Sequence, residues 1–318
     1  MFDNTRVIAL EEHYWDRELV ATFQGGDRLR VPQLEERLFD LGALRLKEMD
    51  EAGVDYQVLS HGASAAQNLP ADIALEMTRR VNDRLHAVVK AHPARFGAFA
   101  AVPTHDAKEG ADELERCVTK LGFVGAMMHG LANGVFLDDQ RFWPIYERAQ
   151  TLDVPIYFHP AAPQQVVVDR YYKEYVEVAP AILNAGWGFT VEAATTALRL
   201  VLSGVFDKYP RLKCILGHLG EGIPFLMARM DEALSRNSKV RFRETFSSHF
   251  WVTTSGFFSN PALLCTMQEL GIDRIMFSID YPFVKNTTAV DWVKTVPLAA
   301  EDRAKMLSGN ATRLLKLK

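Results

Sequence analysis

"RVIALEEH", residues 6–13, is a short apolar, β-branched run that finishes in two carboxylates and an imidazole. Its composition is that of a buried strand. Side chains alternate along a strand, so Glu11 and His13 are expected on one side and Glu12 on the other. A carboxylate and an imidazole two residues apart on one face can grip a metal ion, or can form a hydrogen-bonded pair. Glu12, facing away, is expected to be structural.

The pattern recurs. Comparable runs are "VDYQVLSHG" (54–62), "RFGAFAAVPTH" (95–105), "FVGAMMHG" (123–130), "VPIYFHP" (154–160), "LKCILGHLG" (212–220), "HFWVTTSG" (249–256) and "RIMFSIDYP" (274–282). Helical periodicity fills most of the gaps: 34–53 (with Gly53 as its stop), 71–93, 107–122, 139–153, 190–210, 221–237, 261–271 and 301–317. Eight strands alternating with eight helices predict a (β/α)8 TIM barrel, a single domain over 1–318. The longer gaps at 14–33, 161–189 and 283–300 all follow strands and are expected as enlarged loops over the top. A doubly wound open sheet is the alternative, but no Gly-rich phosphate loop follows the first strand.

Composition narrows the function. The 318 residues are 48% hydrophobic and 24% charged, with a net charge of −4 spread evenly, which gives no hint of nucleic acid or an anionic membrane as partner. Cys117, Cys214 and Cys265 are far apart and lack C-x-x-C spacing, as expected of reduced thiols in a cytoplasmic protein. The N-terminus lacks the apolar stretch of a signal peptide, and no run approaches the roughly 20 apolar residues of a membrane span.

In a barrel of this kind the chemistry sits at the C-terminal ends of the strands. The runs end in Glu11 and His13, Ser60 and His61, His105, His129, His159, His218 and Asp280. Six of the nine histidines therefore gather at one rim. Each has a plainer reading: a packed acid–base pair for Glu11 and His13, a core imidazole for His159, a loop cap for Asp280. Glu221 is placed to bond back to His218. His61 and His105 read as rim residues, His129 as structural or pocket-lining, and His92 and His249 as structural. Glu11, His13, His159 and Asp280 together offer two nitrogens and two oxygens, a set that suits one Zn²⁺ or Mn²⁺. No lysine ends the fourth run, so a bridged second metal is not expected.

These residues resemble a known family. E-x-H on the first strand, H-P ending the fifth, "GHLGEG" (217–222) and "RIMFSIDYPF" (274–283) are similar to the amidohydrolase superfamily. The nearest likeness is to its metal-dependent non-oxidative decarboxylases, above all the γ-resorcylate (2,6-dihydroxybenzoate) decarboxylases. "AFAAVP" (98–103), "LGFVGAMMHG" (121–130) and "SGVFDKYPRLKCILGHLGEGIPFLMARMD" (203–231) extend the likeness along the whole chain.

The resemblance implies that Glu11, His13, His159 and Asp280 bind the metal and that His218 is a catalytic imidazole oriented by Glu221; decarboxylation would also need a positioned acid to protonate the ring carbon, and Asp280 is the residue expected to supply it. The resemblance also implies Trp187 and Phe189 of "GWGF" (186–189) as ring contacts and Arg229 as a partner for a carboxylate. The substrate would be a small aromatic carboxylic acid, and the assembly a homodimer or homotetramer. Residues 162–180 and 284–292 depart from that branch, and both lie on expected pocket loops. Two other readings fit the same ligands. One is a hydrolase in which Asp280 serves as base toward a lactone, amide or ring-cleavage product; the other is a barrel that binds without turnover.

Overall fold

The computed structural model describes residues 5–23 and 32–318, so the expected loop at 14–33 lies partly outside the described residues. Eight strands form where the apolar runs stand: β1 (Ile8–Tyr14), β2 (Tyr56–His61), β3 (Phe96–Ala98), β4 (Ala126–His129), β5 (Ile156–His159), β6 (Cys214–Leu216), β7 (Phe250–Thr253) and β8 (Ile275–Met276). They pair in chain order and all in parallel, as β1-β2-β3 and as β4-β5-β6-β7-β8. Parallel bridges join the two sheets at both seams, Ala100 with Ala126 and Glu12 with Tyr281. The eight strands thus make one ring, a (β/α)8 barrel.

Alternation sorts the strand residues into two layers. Ile8, Leu10, Tyr56, Val58, Phe99, Met127, Tyr157, Ile215 and Met276 cluster inside the ring. Ala311, Leu314 and Leu315 pack with them, while Arg6 at the start of β1 bonds the carbonyl of Lys318. The C-terminal segment therefore closes the bottom. The alternate residues, among them Ala9, Leu59, Ala98, Met128, Phe158, Leu216 and Val252, pack outward against the helices.

Helices supply the crossovers that parallel pairing demands. Those at Ala71–Ala91, Ala107–Leu121, Ile223–Ser235 and Asn260–Leu270 fall as expected. The expected helix at 34–53 is instead two, Pro32–Phe39 and Ala43–Ala52. Between them the carboxylate of Asp40 accepts from the amides of Gly42 and Arg45, which starts the second helix afresh. Gly53 stops it in the left-handed region, as its sequence position predicts. The segment at 190–210 breaks at Gly204, and that at 301–317 is divided by a π turn at Lys305–Gly309. The stretch 283–300 is not all loop: Ala289, Val290 and Val293 are buried at helical spacing in a helix over Asn286–Thr295.

Candidate metal centre and active site

The first strand carries a bulge where the site begins. Ala9 pairs with Gln57 but Glu12 with Leu59, so three steps along β1 match two along β2. Strict alternation from Ile8 and Leu10 would next turn Glu12 inward. The extra residue reverses the phase, and Glu11 and His13 face into the barrel while Glu12 points behind its wall.

Three chain-distant elements meet there. Oε1 of Glu11 lies 3.6 Å from Nε2 of His13 and 3.2 Å from Nε2 of His159. Oδ1 of Asp280 lies 3.4 Å from the same His13 nitrogen. Glu11, His13 and His159 are all buried, and one donor atom from each gathers within 4.8 Å. Metal–ligand bonds of about 2.0–2.2 Å place neighbouring donors about 3–3.6 Å apart, which is the spacing found. Glu11 Oε1 and His13 Nε2 are buried with no hydrogen-bond partner. Buried polar atoms are rarely left so, and a divalent ion would satisfy both. The residues fit the group.

Their neighbours aim these donors. The phenol of Tyr157 donates to Oε2 of Glu11 and shares a 2.8 Å bond with Thr253 Oγ1, which leaves Oε1 for the centre. Nδ1 of His159 lies 2.7 Å from the Pro160 carbonyl and 3.1 Å from Nδ1 of His129. A proton on that nitrogen serves both and keeps Nε2 as a free lone pair. Nδ1 of His13 faces Ser60 Oγ at 3.4 Å. Nδ1 of His218 is bonded at 2.7 Å to Glu221, and its Nε2 faces Glu11 Oε1 at 3.9 Å. His218, Leu219 and Glu221 all have positive φ (50°, 54° and 54°), a run of left-handed residues that turns the imidazole in at the end of β6.

Charge follows from this crowding. Burial alone would raise the Glu11 carboxyl, yet His218, His13 and His159 hold it well below the usual range. Burial opposes a charged His13, but Asp280 and Glu11 push its pKa up to about 9. Burial is likewise outweighed at His218, where Glu221 and Glu11 push the value to about 10. The cluster draws positive charge to itself, and a cation answers that demand.

Two glycines leave room. A Cβ on Gly217 would come within 2.8 Å of Glu11 Oε2, and one on Gly256 within 3.0 Å of Asp280 Oδ2. Over the site, the Phe189 ring lies 6.4 Å from that of His159, and the Phe283 ring 5.7 Å from that of His13.

Other sequence-predicted residues stand elsewhere. Trp187 is exposed just before the Gly188–Leu202 helix. Arg229 is exposed on the Ile223–Ser235 helix, off the inward stripe of Ile223 and Met227, and among the described residues no hydrogen bond or ion pair ties it to the centre. His61 is buried, bonding the amide of Asp16 and the carbonyl of Gly62, and burial pushes its pKa down to about 4. His105 pairs with Glu109 at 2.9 Å. Sequence reading missed Tyr157, Phe283, Gly217 and Gly256. Only Tyr157 left a signal, because it stands two residues before His159 and so shares its face.

Comparison with known families closes the question of kinship. The sequence matches the amidohydrolase family over residues 12–317. The chain belongs to the amidohydrolase family. A γ-resorcylate decarboxylase of Polaromonas sp. (strain JS666) is 40% identical over 98% of both chains. The crystal structure of a dihydroxybenzoic acid decarboxylase from Polaromonas sp. JS666 holds manganese and the inhibitor 2-nitroresorcinol. It matches this amidohydrolase with a TM-score of 0.89 at 39% identity, covering 98% of this chain and 97% of that one. A 5-carboxyvanillate decarboxylase from Sphingomonas paucimobilis matches with a TM-score of 0.91 at 31% identity, over 99% and 100%. These three relatives are decarboxylases.

Proposed function

We propose that this amidohydrolase catalyses the metal-dependent, non-oxidative decarboxylation of a benzoate that carries a hydroxyl ortho to its carboxylate. The observation that carries the proposal is the cluster of Glu11, His13, His159 and Asp280, with two buried donor atoms left unsatisfied. Bound there, Mn²⁺ or Zn²⁺ would supply Lewis acidity to a chelated carboxylate and ortho oxygen.

The remaining work falls to side chains. Asp280 delivers a proton to the ring carbon that bears the carboxylate. The carbon–carbon bond then breaks, its electron pair returns to the ring, and CO₂ leaves. His218 presents Nε2 toward the same space, with its Nδ1–H held by Glu221, and resupplies the proton to Asp280. Phe189 and Phe283 flank the ring and keep water from it. Hydrolysis, the alternative chemistry for these ligands, has no observation in its favour. We also infer a cytoplasmic homo-oligomer: all three cysteines are free, and Phe225 and Val178 turn apolar surface outward.

The test is mass spectrometry after incubating metal-loaded protein with 2,6- and 2,3-dihydroxybenzoate, salicylate, 5-carboxyvanillate and a few lactones. A product lighter by CO₂ from a hydroxybenzoate supports the proposal. A product that gains water, with the hydroxybenzoates untouched, replaces it with a hydrolase.

A further inference from the structure

Behind the barrel wall, on the side away from the metal centre, the buried carboxylate of Glu12 reaches across the seam between β1 and β8. Its Oε1 accepts from the amide of Ile279 at 3.0 Å and from Ser278 Oγ at 3.2 Å. Its Oε2 accepts from the amide of Tyr281 at 3.3 Å and from Gln57 Nε2 at 3.4 Å. Ile279 and Tyr281 are the two neighbours of Asp280. We propose that Glu12 is a positioning residue for Asp280: it fixes the direction of that carboxylate by gripping the backbone on both sides of it.

The local backbone explains the need. The β8 ladder ends at Met276, four residues before Asp280. Asp280 itself has φ 73°, a left-handed conformation that an L residue holds only when its surroundings impose it. The β1 backbone contributes two bonds, Asp280 N–H to the Glu11 carbonyl at 3.1 Å and His13 N–H to the Tyr281 carbonyl at 2.7 Å. Thr254 secures the approach by bonding Ser278 at both its amide and its carbonyl. Among the described residues, Glu12 is the side chain that bonds the amides on both flanks of Asp280.

Arg45 completes the device from the helix layer. It is fully buried, and its Nη2 donates to the carbonyl of His13 at 2.5 Å. Its Nη1 donates to Gln57 Oε1 at 3.2 Å, and its guanidinium lies 4.5 Å from the centre of the Tyr281 ring. One connected polar group thus touches the backbone of His13 and the backbone around Asp280. The β1 half of the metal site and its β8 half are registered through it. The bulge that turns Glu11 and His13 inward is the same feature that sends Glu12 outward to do this.

The inference rests on the role proposed above for Asp280, so the experiment separates the two. Glu12→Gln keeps the size but offers one acceptor oxygen, leaving either Ile279 N–H or Tyr281 N–H opposite an NH₂ group. We expect a native circular dichroism spectrum, kcat on the active hydroxybenzoate lowered about 10- to 100-fold, and KM nearly unchanged. Mn²⁺ affinity, read by chelator competition, gives the second readout: Glu12→Gln weakens it in the native background but adds no further loss to Asp280→Asn. Native kcat and native affinity in folded Glu12→Gln, or fully additive losses in the pair, would overturn the inference. Should that variant fail to fold, Gln57→Met removes one donor to Glu12 and is read alike, a several-fold fall in kcat supporting the inference and native kcat refuting it. Asp280→Asn with native kcat would instead remove the role of Asp280 itself.

Discussion

The Tyr157 phenol donates to one oxygen of the Glu11 carboxylate and leaves the other facing two imidazoles. Strand β5 thereby aims a ligand that strand β1 supplies. Tyr157→Phe removes the donor and strands a buried acceptor, at a cost of about 1–3 kcal/mol. Metal affinity should fall about 10- to 100-fold, measured by competition with a chelator. Unchanged affinity would mean that Glu11 is aimed by other groups.

Gly217 makes the converse prediction. Its φ of −73° suits any residue, so Gly217→Ala brings no backbone strain. The new methyl would instead meet Glu11 Oε2 at 2.8 Å, and that carboxylate is pinned by Tyr157. Thermal stability should change little while Mn²⁺ affinity drops about tenfold or more. A large loss of Tm with native affinity in the surviving fold would contradict this.

The pH dependence of metal uptake has a definite sign. His13 titrates at about 9 in the metal-free fold, above its ordinary 6.5. Its charge therefore stabilises the metal-free fold fully below pH 6.5, and that contribution is lost as pH rises through about 9. A metal needs the neutral imidazole, so Mn²⁺ affinity should rise about tenfold per pH unit between about pH 7 and about pH 9 for the proton displaced. Titrations at several pH values in that window check it. A flat profile would remove His13 from the ligand set.

Phe283 offers a test of the pocket. Its ring stands beside His13 and is partly exposed at the mouth. Phe283→Ala should raise KM roughly 2- to 10-fold, the worth of an aromatic contact, and leave metal content unchanged. Steady-state kinetics with metal analysis decides it, and a native KM would place the ring of the substrate elsewhere.

Much of this was legible in the sequence, because strands and their ends announce themselves in apolar runs closed by polar residues. His159 and Glu11 are read directly from such ends. Alternation puts Glu11 and His13 on one side and Glu12 on the other, as found, but the bulge that reconciles this with inward Ile8 and Leu10 depends on pairing with β2 and leaves no mark in "IALEEH". Glu12 reads as structural, but its partners were hidden: its carboxylate accepts from the amides of Ile279 and Tyr281, on either side of Asp280. The break at Asp40 was hidden for a similar reason: its cap bonds arise from one side chain within an otherwise helical pattern. For Arg229 a motif match supplied a role, and the fold shows the residue exposed on its helix.

The most direct test of the metal centre is anomalous diffraction from crystals grown with Mn²⁺. One peak in contact with Glu11 Oε1, His13 Nε2, His159 Nε2 and the Asp280 carboxylate is predicted. A peak elsewhere, or none at this cluster while the protein still turns over hydroxybenzoates, would contradict the assignment of the site.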